Sequence, residues 1–410
     1  LAKQNRRIEK GRRDPFVLAL PYPFKAWLAL SSDPDNTLFK DWQELDGVIW
    51  KEIGLPFADS FFIRSFNTHH THQVDLHGHP GILASHPHDT IHTWGDFVFG
   101  GKRGFDRQDA IDHAAIIAQA GFTPRIWTDH STFFGNLLHV HQYGGQPELR
   151  DASGYVYSNT LYTLDLIQAV GVRYVWDGTV TPVMGQGRPM RLLTYHMAYA
   201  GSFRTGVTRY VKHLLMNAFG VGIDFRKKFH GNSIYRPHRF ADGNTLYLFQ
   251  RHGSWPSGDI DGLGEVLAPE RMEQLMRTGG FCIAYTHLGK RPANRTHDPV
   301  HVPASTLAAL RNIKDLMERK ELMVSSTSSL LDYAVLRDHI SVDVREHIIR
   351  FNADGIAFKT VGAAELKGLS FTFLRKQLDL ETVRVRGTIE ELRPRFEDHG
   401  DRFSLHFDVP

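Results

Sequence analysis

The sequence predicts an α/β chain of repeating strand–helix units with a small antiparallel β-rich tail, and three observations carry that reading. Apolar runs of strand length stop at acids or histidines, as at Ala26–Leu30 before Asp33 and Asp35 and Phe281–Tyr285 before His287. Between these runs apolar residues recur at steps of three and four, the mark of amphipathic helices. From Ser341 onward the texture changes to short alternating runs separated by turns, so the domain boundary is expected near residue 340.

Residues 1–24 form a basic, polar lead-in (Arg6, Arg7, Lys10, Arg12, Arg13) to which no function is assigned. The first strand, within Lys25–Thr37, is a continuous apolar run of the kind buried on both faces, and its terminal acids fall where the C-terminal rim of a β/α sheet or barrel opens. Leu38, Trp42, Leu45, Ile49 and Ile53 predict a helix stopped by Gly54 and Pro56. Ala58–Phe66 predicts a second strand, followed by a long histidine-rich excursion, and Asp89–Phe97 a third. Asp106 and Asp109 open a helix closed by Gly121. Pro124–Ser131 and Val172–Asp177 predict further strands, with a helix over Leu161–Val170 between them. A helix is expected near Tyr210–Phe219 and a strand over Thr245–Arg251. Pro269 starts a helix that Gly279–Gly280 stops. Alternation in the next strand puts Phe281, Ile283, Tyr285 and His287 on one side. A helix through Leu307–Met317 and a short strand at Leu322–Val324 bring the count to about seven units.

With 410 residues and 41% hydrophobic content the chain can fill a sizeable core. A net charge of +3, from 48 basic and 45 acidic residues, gives no field that would recruit nucleic acid or an anionic membrane. No run approaches the roughly 18 apolar residues of a membrane span. The single cysteine, Cys282, rules out an internal disulfide framework and a cysteine-rich zinc site. A reducing, cytoplasmic compartment is expected, with export left open because the sequence begins at Leu1. The 24 histidines are the unusual feature, and many lie between His69 and His141. Histidine is the commonest metal ligand.

The order of strand ends resembles the polysaccharide deacetylase barrel, the NodB-homology family of carbohydrate esterases (family 4). Ser31-Ser32-Asp33-Pro34-Asp35 falls where that family has two acids after its first strand, and Ala58-Asp59-Ser60-Phe61-Phe62 where it has Ala-Thr-Phe-Phe. His92-Thr93-Trp94-Gly95-Asp96 stands in place of His-Thr-x-x-His, departing at its last position. Ile126-Trp127-Thr128-Asp129-His130 stands opposite Arg-Pro-Pro-Tyr, with Asp129 where the family has an arginine that orients the base. Val175-Trp176-Asp177 and Tyr285-Thr286-His287-Leu288 fit the fourth and fifth motifs. The resemblance covers about residues 25 to 330 and implies a distorted (β/α)7 barrel, a divalent metal, and hydrolysis of N-acetyl or O-acetyl groups on sugars.

Amide hydrolysis needs a polarised carbonyl, an activated water and a proton for the departing nitrogen. A metal supplies the first and acidifies water, and carboxylate with imidazole suits zinc foremost, with Fe, Mn or Co also accommodated. On that footing Asp35 and His92 are expected as ligands. Asp96 is the expected third because one helical turn would bring it to His92, with His130 as its rival. Asp33 is expected as general base and His287 as the acid. Trp127, Trp176 and Arg251 are candidate sugar contacts, and Asp129 joins them. Two other classes stay open: a glycoside hydrolase or lyase pairing Asp33 or Asp35 with Asp177 or Asp129, and a carbohydrate-binding relative without catalysis. The expected partner is an acetylated carbohydrate.

Overall fold

The structure is a computed structural model. It describes residues 14–66, 73–85, 87–96, 106–129, 148–150, 156–158, 163–181, 184–188, 207–208, 211, 215, 232–240, 244–253, 259–290, 300–351, 366–386 and 394–407. The chain divides into two compact units, residues 26–328 and residues 1–25 with 329–410.

The larger unit is built on β1 (Ala26–Ser32), buried at every position as its unbroken apolar run requires. It is followed by β2 (Phe57–Phe61), β3 (Thr90–His92) and β4 (Ile126–Thr128). A two-stranded antiparallel hairpin, β5 (Glu148–Arg150) with β6 (Val156–Ser158), precedes β7 (Tyr174–Thr181), β8 (Tyr235–Arg239), β9 (Thr245–His252) and β10 (Phe281–Thr286). Strands β1, β2, β3, β4, β7, β9 and β10 pair in that order, all parallel, and the pairing of Ala284 with His252 joins β10 to β9. The result is a closed seven-stranded parallel barrel surrounded by helices, as a (β/α)7 barrel requires. Its closure is uneven. The free edge of β9 over Thr245–Phe249 is taken by antiparallel β8, and the lower edge of β1 by β11 (Leu322–Ser325).

Helices cover the outer face. The first, α1 (Phe39–Asp46), runs into a π-helical turn ended by Gly54 at φ 76°, a left-handed conformation that glycine adopts without strain. The helix expected to open at Asp106 and Asp109 is α2 (Arg107–Gln119), and the two acids form a capping box at its start. Among the described residues of this unit the other α-helices are α3 (Leu164–Ala169), α4 (Ile260–Val266), α5 (Pro269–Thr278) and α6 (Ala304–Glu318). Pro269 stands in the first turn of α5 and Gly279, at φ 63°, ends it. Two apolar clusters fill the space between strands and helices. One joins Leu28, Leu30, Cys282 and Ala284 to Leu263, Leu275, Leu310 and Ile313. The other joins Phe61, Ile91, Trp127, Val175 and Leu248 to Ala110, Ile117, Leu164 and Ile167. Alternation along each strand therefore turns the intervening residues inward: Ser31, Ser60, His92, Thr128, Trp176, Arg251 and Tyr285.

Three predicted strands are shorter than expected, the one foreseen over Pro124–Ser131 spanning only Ile126–Thr128. The second ends at Phe61, and beyond it only isolated bridges, Phe62 with Asp75 and Ser65 with Asp96, continue the pairing. The third ends at His92 because Thr93 turns the backbone to φ 54°. The helix expected near Tyr210–Phe219 falls mostly outside the described residues, as does the His69–His72 run.

In the smaller unit, α7 (Thr327–Arg337) leads into β12 (Ile340–Asp343), β13 (Ile348–Phe351), β14 (Ser370–Leu374), β15 (Arg384–Arg386), β16 (Arg395–Asp398) and β17 (Arg402–His406). These make two three-stranded sheets, antiparallel except for the parallel pairing of β13 with β15. Tyr333, Phe351, Phe371 and Phe407 pack ring on ring at centroid separations of 5.0 to 5.5 Å. The lead-in belongs here: Leu18 donates its N–H to the Thr372 carbonyl and Tyr22 to the Thr372 hydroxyl, each at 2.8 Å. Among the described residues no helix is long and apolar enough to cross a membrane.

Candidate active site

At the C-terminal ends of the barrel strands the inward residues change from apolar to polar, and the largest change is at Asp33. Its carboxylate is fully buried, and Arg251 Nη1 donates to Oδ1 at 2.7 Å from the end of β9. Ser60, the inward residue of β2, donates its hydroxyl to the same oxygen. The other arm of Arg251, Nη2, donates to Thr128 Oγ1 on β4 at 3.0 Å. The guanidinium lies over the Trp176 ring, 4.1 Å from its centroid, and 5.3 Å from that of Tyr285. A charge taken out of water this completely persists only when paired and hydrogen-bonded. Side chains from β2 and β9 thus meet on one carboxylate that follows β1.

Tyr285 extends the network. Its hydroxyl stands 2.9 Å from His287 Nε2. Burial, reinforced by the neighbouring Asp33 carboxylate, pushes the phenol far above its ordinary pKa, so it stays a neutral hydroxyl.

Asp35 stands closer to solvent, its side chain 15% exposed, with Oδ1 3.5 Å from Nε2 of the fully buried His92. The imidazole is held edge-on by Phe62 at a centroid distance of 4.3 Å. With ligand bonds of about 2.0 to 2.1 Å, two donors on one tetrahedral zinc stand about 3.3 to 3.4 Å apart. The oxygen and nitrogen are spaced as two ligands of one small cation would be. Among the described residues no set of three histidine, cysteine or acidic side chains stands together as a metal cage.

The other expected site residues take different places. Asp96 is buried, but residues 93–96 do not make the helical turn that would carry it to His92. Instead its N–H donates to Arg64 at 3.1 Å and its carbonyl accepts from Phe66 at 2.8 Å, an extended bridge beside β2. His130 lies outside the described residues. Trp127 faces the helices, fully buried against Trp94 at 5.4 Å, so it packs and does not line the mouth. Its indole N–H donates to Asp129 Oδ1 at 3.0 Å. Trp176 points inward but lies beneath Arg251, and Arg251 itself is engaged with Asp33. Asp177, an acid considered for glycosidase chemistry, pairs with Arg236 at 2.9 Å.

Sequence reasoning passed over Ser60, Thr128 and Tyr285 as participants. The signal for Tyr285 was present in the alternation that puts it on the side of His287. Ser60 and Thr128 gave none, since small hydroxyl residues are common in strands. The chain matches no protein-family model, and no curated protein or solved structure is significantly similar to it.

Proposed function

We propose that the barrel mouth is the active site of a metal-dependent hydrolase, related to the polysaccharide deacetylases, that removes acetyl groups from a sugar or polysaccharide, N-acetyl in preference to O-acetyl. The observation that carries this reading is the 3.5 Å spacing of Asp35 Oδ1 and His92 Nε2 beside a second, buried carboxylate. Asp35 and His92 would hold the ion, with His130 as the third donor. A divalent ion there, zinc foremost, supplies Lewis acidity, polarising the acetyl carbonyl and acidifying water.

The chain's own groups supply the rest. Asp33 takes the proton of the attacking water, and its two donors, Arg251 and Ser60, keep it ionised and oriented beforehand. His287 gives a proton to the departing nitrogen. Nε2 of His287 lies 2.9 Å from the Tyr285 hydroxyl.

The test is metal analysis of protein purified without added metal, together with acetate release from N-acetylated oligosaccharides. Wild type is expected to hold close to one metal per chain, and Asp35→Ala and His92→Ala at least tenfold less. Asp33→Asn is expected to keep the metal and lose acetate release by a factor of about 10² or more. Equal metal content in wild type, Asp35→Ala, His92→Ala, Asp96→Ala and His130→Ala overturns the reading.

A further inference from the structure

We infer that Thr93 is a positioning residue whose left-handed backbone holds the His92 imidazole at the rim and keeps Trp94 out of the mouth, a role that rests on the reading of the mouth as a hydrolase site. Three observations carry it. Thr93 stands at φ 54° immediately after His92, the last residue of β3. It is fully buried. Trp94, also fully buried, packs on Trp127 in the cluster that joins Ile91 to Ala110 and Ile117 of α2.

Alternation shows what the turn achieves. Had β3 run on in extended conformation, residue 94 would share the side of His92, and its indole would enter the mouth beside the imidazole. The left-handed residue between them breaks the alternation. Ile91 and Trp94 both face the helices, and His92 between them points inward. Its Nε2 meets Asp35 Oδ1 at 3.5 Å, and not an indole.

Positive φ is a poor conformation for threonine, because a β-branched side chain crowds its own backbone there. Such a residue persists only where its surroundings fix it, and residues 93–96 are fixed along their length. Thr93 Oγ1 donates to the Gly95 carbonyl at 3.1 Å, and the Trp94 carbonyl lies 2.6 Å from His113 Nδ1 on α2. Asp96 is held by its backbone to Arg64 and Phe66. Asp35 is followed by the same backbone conformation: Asn36 stands at φ 59°, its N–H donating to Gln73 Oε1 at 2.9 Å. Asparagine enters this region more readily, so the strain is concentrated at Thr93.

Strain clamped at that point is preorganisation. It leaves β3 one way to end, so the imidazole is in place before an ion arrives. Glycine visits positive and negative φ about equally. At position 93 it would leave the strand end uncommitted, and binding would have to order it.

The experiment compares Thr93→Gly, Thr93→Ala and Thr93→Ser by thermal melting of metal-free protein and by zinc titration against a chelating dye. The glycine and alanine variants both lack the threonine hydroxyl and methyl, and they differ in their tolerance of positive φ. Thr93→Gly is expected to melt above Thr93→Ala, the reverse of the order these residues show inside ordinary strands and helices. Its zinc dissociation constant is expected to rise about tenfold or more, while Thr93→Ser, which keeps the hydroxyl bond, stays within about threefold of wild type. A Thr93→Gly protein that melts at or below Thr93→Ala overturns the inference, and so does one that binds zinc within about twofold of wild type. Thr93→Ser losing as much affinity as Thr93→Gly overturns it too, because packing of the methyl group would then be the cause. Wild type that takes up no zinc, with Thr93→Gly still melting above Thr93→Ala, overturns the hydrolase reading and supports the strained turn that places Trp94.

Discussion

Arg251 and Asp33 show how a single residue pair can dominate the energetics of a site. Both side chains are at most 1% exposed, so removing the cation strands a carboxylate in the barrel interior. Arg251→Met is expected to destabilise the protein by about 3 to 5 kcal/mol at neutral pH, the cost of an uncompensated buried charge. The double variant Arg251→Met with Asp33→Asn is expected to recover more than half of that in urea unfolding, because the stranded charge is gone. His113 makes a second case at this scale. It is buried and donates from Nδ1 to the Trp94 carbonyl at 2.6 Å, and burial holds its pKa below the ordinary 6.5. The unfolded chain therefore binds the proton more tightly than the folded one. Its stabilising contribution is intact above about pH 6.5 and declines as pH falls below that value. Urea unfolding near pH 7.5 and near pH 5.5 is expected to show a steeper loss for wild type than for His113→Asn.

Among the elements, what was legible in the sequence was punctuation and periodicity. The acids that open α2, the proline and glycine bounding α5, and the buried run of β1 all act within a few residues, so local reading finds them. Contacts that bring distant segments together leave no local mark. Arg251 and Asp33 are 218 residues apart, and the expected partner of His92 was sought four residues away, where Thr93 breaks the required helix. Trp127 failed as a sugar contact for a related reason: in a three-residue strand nothing local says which face is inward. Helix packing adds a small electrostatic link of the same long-range kind, Arg107 at the start of α2 with Asp165 in α3, both Nη–carboxylate contacts made. Arg107 lowers the Asp165 pKa, so the pair stabilises above the unfolded carboxylate pKa of about 3.9 and is lost as pH falls through the depressed value. The two side chains are 34% and 46% exposed, and Asp165→Asn is expected to cost less than about 1 kcal/mol at pH 7, with the difference shrinking as acid protonates the Asp165 carboxylate.

For the barrel unit as a whole, the weak point is the junction of β9 and β10, made by the single pairing of Ala284 with His252. The neighbouring residue on β9, Arg251, reaches Asp33 just beyond β1 and lies over the Tyr285 ring of β10, so side chains reinforce what the backbone joins once. Arg251→Met is therefore expected to speed amide hydrogen exchange in β9 and β10 more than in β3 and β4, which hydrogen–deuterium exchange mass spectrometry reads directly.

A hoop fastened by one stitch depends on its brace, and here the brace is made of the side chains proposed to do the chemistry. Drift at Asp33 or Arg251 meets two filters, turnover and architectural integrity, and a change acceptable to one is rejected by the other. New selectivity in this mouth has to arise from the loops beyond the strand ends, because the wall itself has little freedom to vary.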